Sequence, residues 1–118
     1  MFGAFARLMN SGFSQLSPDE AAQRKDLTVV DVRQKNELHG DLGHIPGSVH
    51  IPLDRLFSAG PPSKWKPETP LLVVCRSGAR SASAASQLAQ MGFTDLYNLQ
   101  GGMIAWNRAG LPVKGRHR

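Results

Sequence analysis

The sequence predicts an α/β layered domain built on a mostly parallel sheet, and three observations carry that prediction. Two continuous apolar runs, LTVVDV at residues 27–32 and LLVV at 71–74, have the composition of strands covered on both faces, as parallel sheets require. Helical segments alternate with strand segments along the chain. The stretch LLVV-CRSGAR-SASAASQLAQMG reads as a buried strand, a six-residue loop and a helix. In open α/β sheets that order sets a ligand site at the carboxyl end of the strand.

Each element follows from local chemistry. Ser17-Pro18-Asp19-Glu20 is a capping box with proline at the first helical position, so a helix runs from 18 to about 23 or 24. Strand 27–32 follows, interrupted only by Asp31. Residues 34–38 make one helical turn before Gly40, Gly43, Pro46 and Gly47 impose an irregular loop. A short strand at 48–51 and a short helix at 53–57 lead into a proline-rich surface connection that ends at Pro70. Strand 71–74 stops directly on Cys75. In the helix at 81–91, Ala82, Ala85, Leu88 and Ala89 share one face, and Gly92 caps its end. A strand at 95–99 and a helix at 103–108, opened by Gly101-Gly102 and closed by Gly110, complete the chain. No internal repeat or low-complexity segment is present.

Composition narrows the function classes. Apolar residues at 41% and charged residues at 19% of 118 suit an ordinary globular core and exclude a disordered or fibrous chain. That length has room for one domain, with its core expected over about 12–113 and a basic tail at 114–118. Fourteen Lys and Arg against nine Asp and Glu give +5. Lys114, Arg116 and Arg118 sit in the tail; without them eleven basic residues face nine acidic ones, or +2. The basicity is therefore a property of the tail, expected to be a solvated end or a dock for an acidic partner, and not of a face that grips nucleic acid. Small anions remain fitting partners. No apolar run approaches the ~20 residues that span a bilayer. The opening MFGAFARLMN lacks the apolar stretch and cleavage site of a secretory signal, so a reducing, cytoplasmic setting is expected. A single cysteine excludes an intrachain disulfide and a multi-thiolate zinc site.

Cys75 is the candidate nucleophile. It stands at a strand end, against the positive end of a helix, with Arg76 and Arg80 beside it. Gly78 and Ala79 leave room for successive backbone N–H groups to turn inward as an anion nest. Such surroundings depress a thiol pKa and can also hold an oxyanion substrate. The alternative is a small buried hydrophobe at a strand end, a common fate of free cysteine.

Four segments, VVDVRQKNEL, GHIPGSVHIPL, VVCRSGARS and LQGGMIAWNRAGLPV, occur in the order found in single-domain rhodaneses, and across nearly all its length the chain resembles that thiosulfate sulfurtransferase family. The resemblance implies a three-layer domain with a five-stranded, mainly parallel sheet flanked by helices. It implies that Cys75 accepts the outer sulfur of a small anionic donor, thiosulfate or a persulfide, and passes it to cyanide, a thiol or a protein acceptor. Arg76, Ser77, Gly78, Ala79 and Arg80 would form the loop around that sulfur, and no metal or organic cofactor is implied. Asp31 and Arg33 match the family's D-x-R; two apart on a strand, they pair with each other or reach the loop, in a supporting role. His44 fixes its loop by a hydrogen bond. His50 departs from the small or amide residue usual there. Trp106, Met91 and Met103 are read as packing, Trp65 has no assigned place, and His117 is read as solvated.

Two other classes compete. Cysteine phosphatases and arsenate reductases use Cys-x5-Arg, whereas Cys75 to Arg80 is Cys-x4-Arg and Ser81 stands where their arginine would be. The shorter cradle suits one sulfur atom better than a tetrahedral phosphate. A binding module, or a relay that hands persulfide sulfur to a partner enzyme, is the other class, and a relay needs the same loop as an enzyme does.

Overall fold

The computed structural model describes residues 12–116. The strands are β1 (Ser14–Leu16), β2 (Thr28–Asp31), β3 (Val49–His50), β4 (Leu71–Val74) and β5 (Leu96–Leu99). The helices are α1 (Pro18–Gln23), α2 (Leu53–Ala59), α3 (Ala79–Gln90) and α4 (Gly102–Arg108), with a 3-10 turn at Lys35–His39. The strands form one sheet in the order β1-β5-β4-β2-β3, and every strand pair is parallel.

The central strand explains the layering. Alternate side chains of a strand face opposite sides of its sheet, and all four residues of β4 are buried. Leu71 and Val73 join Val30, Leu56, Ala84, Ala85 and Leu88 in a core beneath α2 and α3. Leu72 and Val74 join Ala21, Leu99, Met103 and Trp106 in a second core beneath α1 and α4. The result is a helix–sheet–helix sandwich in which Leu72, 1% exposed, has no solvent-facing alternative.

The capping box forms as expected. The Glu20 N–H donates to Ser17 Oγ at 3.2 Å and the Ser17 N–H to Glu20 Oε1 at 2.9 Å. Other boundaries shift. The helix expected at 81–91 begins two residues earlier, because Gly78 takes the left-handed conformation (φ 110°) and turns the chain into α3 at once. β1 was not expected at all; it is a three-residue edge strand, SQL, that pairs in register with β5 and buries none of its residues fully.

Several smaller expectations are settled by contacts. His44 Nδ1 bonds the Leu38 carbonyl at 2.9 Å, fixing its loop. His50 Nε2 bonds the Arg33 carbonyl at 2.7 Å. Trp106 is core and donates Nε1–H to the Pro112 carbonyl at 2.9 Å, while Trp65 packs on the α2–α3 core. Met103 is fully buried, but Met91 is 41% exposed: it terminates α3 and turns away from the sheet, so the packing expectation fails there. The tail is exposed over its described residues 114–116, as expected of a solvated end, and it is also held in place. Lys114 exchanges both backbone hydrogen bonds with His44, and the Arg116 guanidinium donates to Asn107 Oδ1. The opening segment read for a signal, together with His117 and Arg118, lies outside the described residues.

Candidate active site

Cys75 follows β4 directly, and its loop closes onto the start of α3. The residue is 1% exposed. The Gly78 N–H donates to Cys75 Sγ at 3.1 Å, and the Ser81 hydroxyl lies 3.3 Å from the same sulfur. Burial pushes the thiol pKa up, but the Ser81 hydroxyl and the N–H groups of Ser81, Gly78 and Ser77 outweigh it and hold the thiol below its ordinary value. The backbone N–H groups expected of the nest, joined by one hydroxyl that was not expected, thus lower the thiol, and the two flanking arginines are not among the causes.

The loop presents N–H groups inward because its carbonyls are fastened elsewhere. Met103 N–H donates to the Cys75 carbonyl at 2.9 Å and Ile104 N–H to the Arg76 carbonyl at 3.1 Å, both from the first turn of α4. The Gly78 carbonyl accepts from Ala82 N–H at 3.1 Å and from Asn98 Nδ2 at 3.2 Å. Such close approach requires glycine at 102. With φ +60°, a Cβ there would fall 2.5 Å from the Arg76 carbonyl carbon and oxygen and 2.6 Å from the Cys75 carbonyl oxygen.

The two arginines occupy different surroundings. Arg80 makes a two-point ion pair with Glu37 at 2.7 and 2.9 Å, and Glu37 raises its pKa; the Cys75 charge is a lesser cause. Glu37 is correspondingly lowered to about 2, by Arg80 first, against some burial, and with help from the Gln34 N–H. The Arg76 side chain is half-exposed and lies 3.7 Å from the exposed Asp41 carboxylate. Ser77 and Ala79 are exposed members of the loop, and of the two it is Ser77 whose N–H helps to lower the Cys75 thiol.

Asp31 and Arg33 pair with each other, both 1% exposed. Arg33 Nε and Nη2 donate to the Asp31 carboxylate at 2.9 and 2.8 Å, and the remaining N–H groups reach the Gly43 carbonyl at 2.7 Å and the Glu37 carbonyl at 3.3 Å. Every buried side-chain polar atom among the described residues finds a partner. The pair therefore locks the 3-10 turn and the Gly43 loop, and through Glu37 it supports Arg80.

Sequence reasoning missed Ser81, Asn98, Glu37 and the α4 backbone donors. Ser81 and Asn98 read as ordinary helix and strand residues; a buried polar residue in an otherwise apolar strand, as Asn98 is, was the available signal. Among the described residues no cluster of His, Cys, Asp and Glu has the geometry to hold a metal ion.

The sequence pattern of the Rhodanese-like domain family matches residues 17–109, which takes in β2, the Cys75 loop and α4. The chain belongs to the rhodanese-like domain family. This rhodanese-like chain is 33% identical over 106 residues to the sulfurtransferase of Allochromatium vinosum, covering 90% of this chain and 95% of that one. It is 37% identical over 100 residues to the thiosulfate sulfurtransferase GlpE of Pseudomonas aeruginosa, covering 83% and 87%. A rhodanese-related protein from Thermoplasma volcanium superposes with a TM-score of 0.77 at 29% identity, over 87% of this chain and 99% of the other. Among the described residues no helix of this rhodanese-like chain is long and apolar enough to cross a membrane.

Proposed function

We propose that the protein is a sulfurtransferase that moves a sulfane sulfur from thiosulfate or a persulfide donor to cyanide or a thiol through a persulfide on Cys75. The observation that carries this reading is a buried cysteine whose sulfur accepts an N–H bond from its own loop and whose pKa is lowered by neutral donors. In the first step the Cys75 thiolate attacks the outer sulfur of thiosulfate; the donor S–S bond breaks and sulfite leaves with its electron pair. In the second, the acceptor attacks the outer sulfur of the persulfide, the new S–S bond breaks, and the electron pair returns to Sγ. Both steps are polar displacements at sulfur, by a thiolate or by cyanide carbon, and need no redox cofactor or metal.

The cradle supplies what these steps require. The backbone N–H donors that stabilise the thiolate also stabilise the charged outer sulfur of the persulfide, and they are fixed beforehand by the carbonyl anchors described above. The phosphatase reading loses support because Arg80, the loop arginine nearest that role, is committed to Glu37. Relatives named sulfurtransferase and thiosulfate sulfurtransferase support the same class of chemistry.

Steady-state transfer from thiosulfate to cyanide by the wild type and Cys75→Ser tests the proposal. The variant is expected to stay folded, because the hydroxyl is close in size to the thiol, and to lose transfer altogether. Residual transfer within a few-fold of the wild type contradicts it.

A further inference from the structure

We propose that the Ser81 hydroxyl is a two-position proton donor: it turns to Asn98 Oδ1 while Cys75 is a neutral thiol or a persulfide, and to Sγ while Cys75 is a thiolate. In this role Ser81 is a catalytic residue that stabilises the leaving sulfur, and Asn98 is a positioning residue that sets where the proton rests.

The number of protons available at Ser81 limits what it can bond. A hydroxyl has one, and three acceptors lie within reach of Ser81 Oγ: Cys75 Sγ at 3.3 Å, the Gly78 carbonyl at 3.2 Å, and Asn98 Oδ1, which it approaches closely. The Gly78 carbonyl already accepts from Ala82 N–H and Asn98 Nδ2, which occupies both of its lone pairs. The contest is therefore between the amide oxygen and the sulfur.

The orientation of Asn98 is determined by its other neighbour. Its Nδ2 donates to the Gly78 carbonyl, and turning the amide over would set two oxygens face to face. The same Nδ2 reaches Gln15 Oε1 at 3.3 Å. Oδ1 is left facing Ser81. Both residues are buried, Ser81 at 0% and Asn98 at 3% exposed, so bulk water does not compete for the proton.

Charge decides which acceptor wins. A neutral thiol or a bridging sulfur is a weak acceptor, and the amide oxygen takes the proton. A thiolate makes a charge-assisted bond about twice as strong as a neutral one, and the proton swings to Sγ. During discharge of the persulfide the acceptor bonds to the outer sulfur, the S–S bond breaks and the electron pair stays on Sγ. The Ser81 O–H turns to meet that charge as it forms, with no proton transferred. This last step rests on the sulfur-transfer reading; the thiol–thiolate switch does not.

The pH dependence of iodoacetamide alkylation of Cys75 tests the switch in the full chain, in Ser81→Ala, Asn98→Leu and the double variant. Loss of one charge-assisted donor in Ser81→Ala should raise the inflection by about one pH unit. Asn98→Leu should lower it, because the nearest competitor for the proton is gone and the Gly78 carbonyl lone pair that the lost Nδ2 frees lies farther from Ser81 Oγ, at 3.2 Å; the double variant should match Ser81→Ala. If both residues only shaped the loop, both inflections would move the same way; that result, or no change in Ser81→Ala, overturns the proposal. Should Asn98→Leu not fold, Asn98→Ala replaces it. In single turnover, discharge of preformed persulfide by cyanide should be about tenfold slower in Ser81→Ala, the rate equivalent of that one bond. An undiminished rate overturns the leaving-group role. A wild type that forms no persulfide contradicts the sulfur-transfer reading instead, and the alkylation series then decides the switch alone.

Discussion

Arg80 and Glu37, 43 positions apart in the chain, form a two-point ion pair at 2.7 and 2.9 Å that ties the first turn of α3 to the 3-10 turn after β2. The Glu37 carboxylate also accepts the Gln34 N–H, and the Glu37 carbonyl accepts from buried Arg33. One glutamate thus joins the Asp31–Arg33 pair to the cysteine loop.

That link has an acid limb. Glu37 is lowered to about 2 in the folded protein, below its unfolded value, so the pair stabilises the fold above the ordinary carboxylate range and is lost as pH falls toward 2. Arg80 is 37% exposed, and solvent screening limits the pair to about 1 kcal/mol. Thermal unfolding of the wild type and Glu37→Gln from pH 7 to pH 2 should show a gap in Tm that closes below about pH 4.5. A gap that persists unchanged to pH 2 contradicts this account.

The same pair separates the roles of the two loop arginines. Arg80 is neutralised by Glu37, whereas half-exposed Arg76 has, among the described residues, a single long contact to an exposed carboxylate. Arg76→Ala should raise KM for thiosulfate several-fold with little change in kcat, the mark of uniform anion binding. Arg80→Ala should act mainly on Tm, like Glu37→Gln. Equal KM effects for the two would show that Arg80 also serves the donor.

Gly102→Ala removes the close approach of α4 to the cysteine loop. The added methyl group overlaps backbone atoms of Arg76 and Cys75 in a left-handed conformation, and together these cost at least about 2 kcal/mol. A fall in Tm of about 10 °C follows for a chain of this size. Gly110→Ala is the control: φ is +72° but no atom lies within 4 Å of the new Cβ, so only the conformational cost of about 1 kcal/mol applies. Equal losses for the two would show that the close approach of α4 to the cysteine loop does not require glycine at 102.

Breaking the buried Asp31–Arg33 pair on one side leaves an uncompensated charge in the core. Asp31→Asn or Arg33→Met should lower stability by about 3–5 kcal/mol, by urea unfolding, while Asp31→Leu combined with Arg33→Met should recover part of that loss. A double variant no better than the worse single one would locate the cost in the lost Gly43 and Glu37 carbonyl bonds rather than in charge.

Much of this was legible in the sequence because it is local. β2 and β4 announce themselves as apolar runs, the cap at Ser17 is a four-residue pattern, and Asp31 and Arg33 are two residues apart on one strand end. β1 was not legible: SQL has no apolar run, and it is a strand only because β5 offers an open edge to it. The position of Cys75 and the inward N–H of Gly78 followed from strand, loop and helix order, while the partners of that loop did not. Glu37, Asn98 and the N–H groups of Met103 and Ile104 reach it from other elements, and no local pattern reports a contact made across the sheet.

The central claim is that Cys75 carries the transferred sulfur, and intact mass spectrometry of the reduced, desalted protein after brief exposure to thiosulfate tests it most directly. The wild type should gain the mass of one sulfur atom and lose it again on adding cyanide, and Cys75→Ser should gain nothing. A free Cys75 thiol that gains no sulfur from thiosulfate or from a low-molecular-weight persulfide, or an equal gain in Cys75→Ser, would contradict the account.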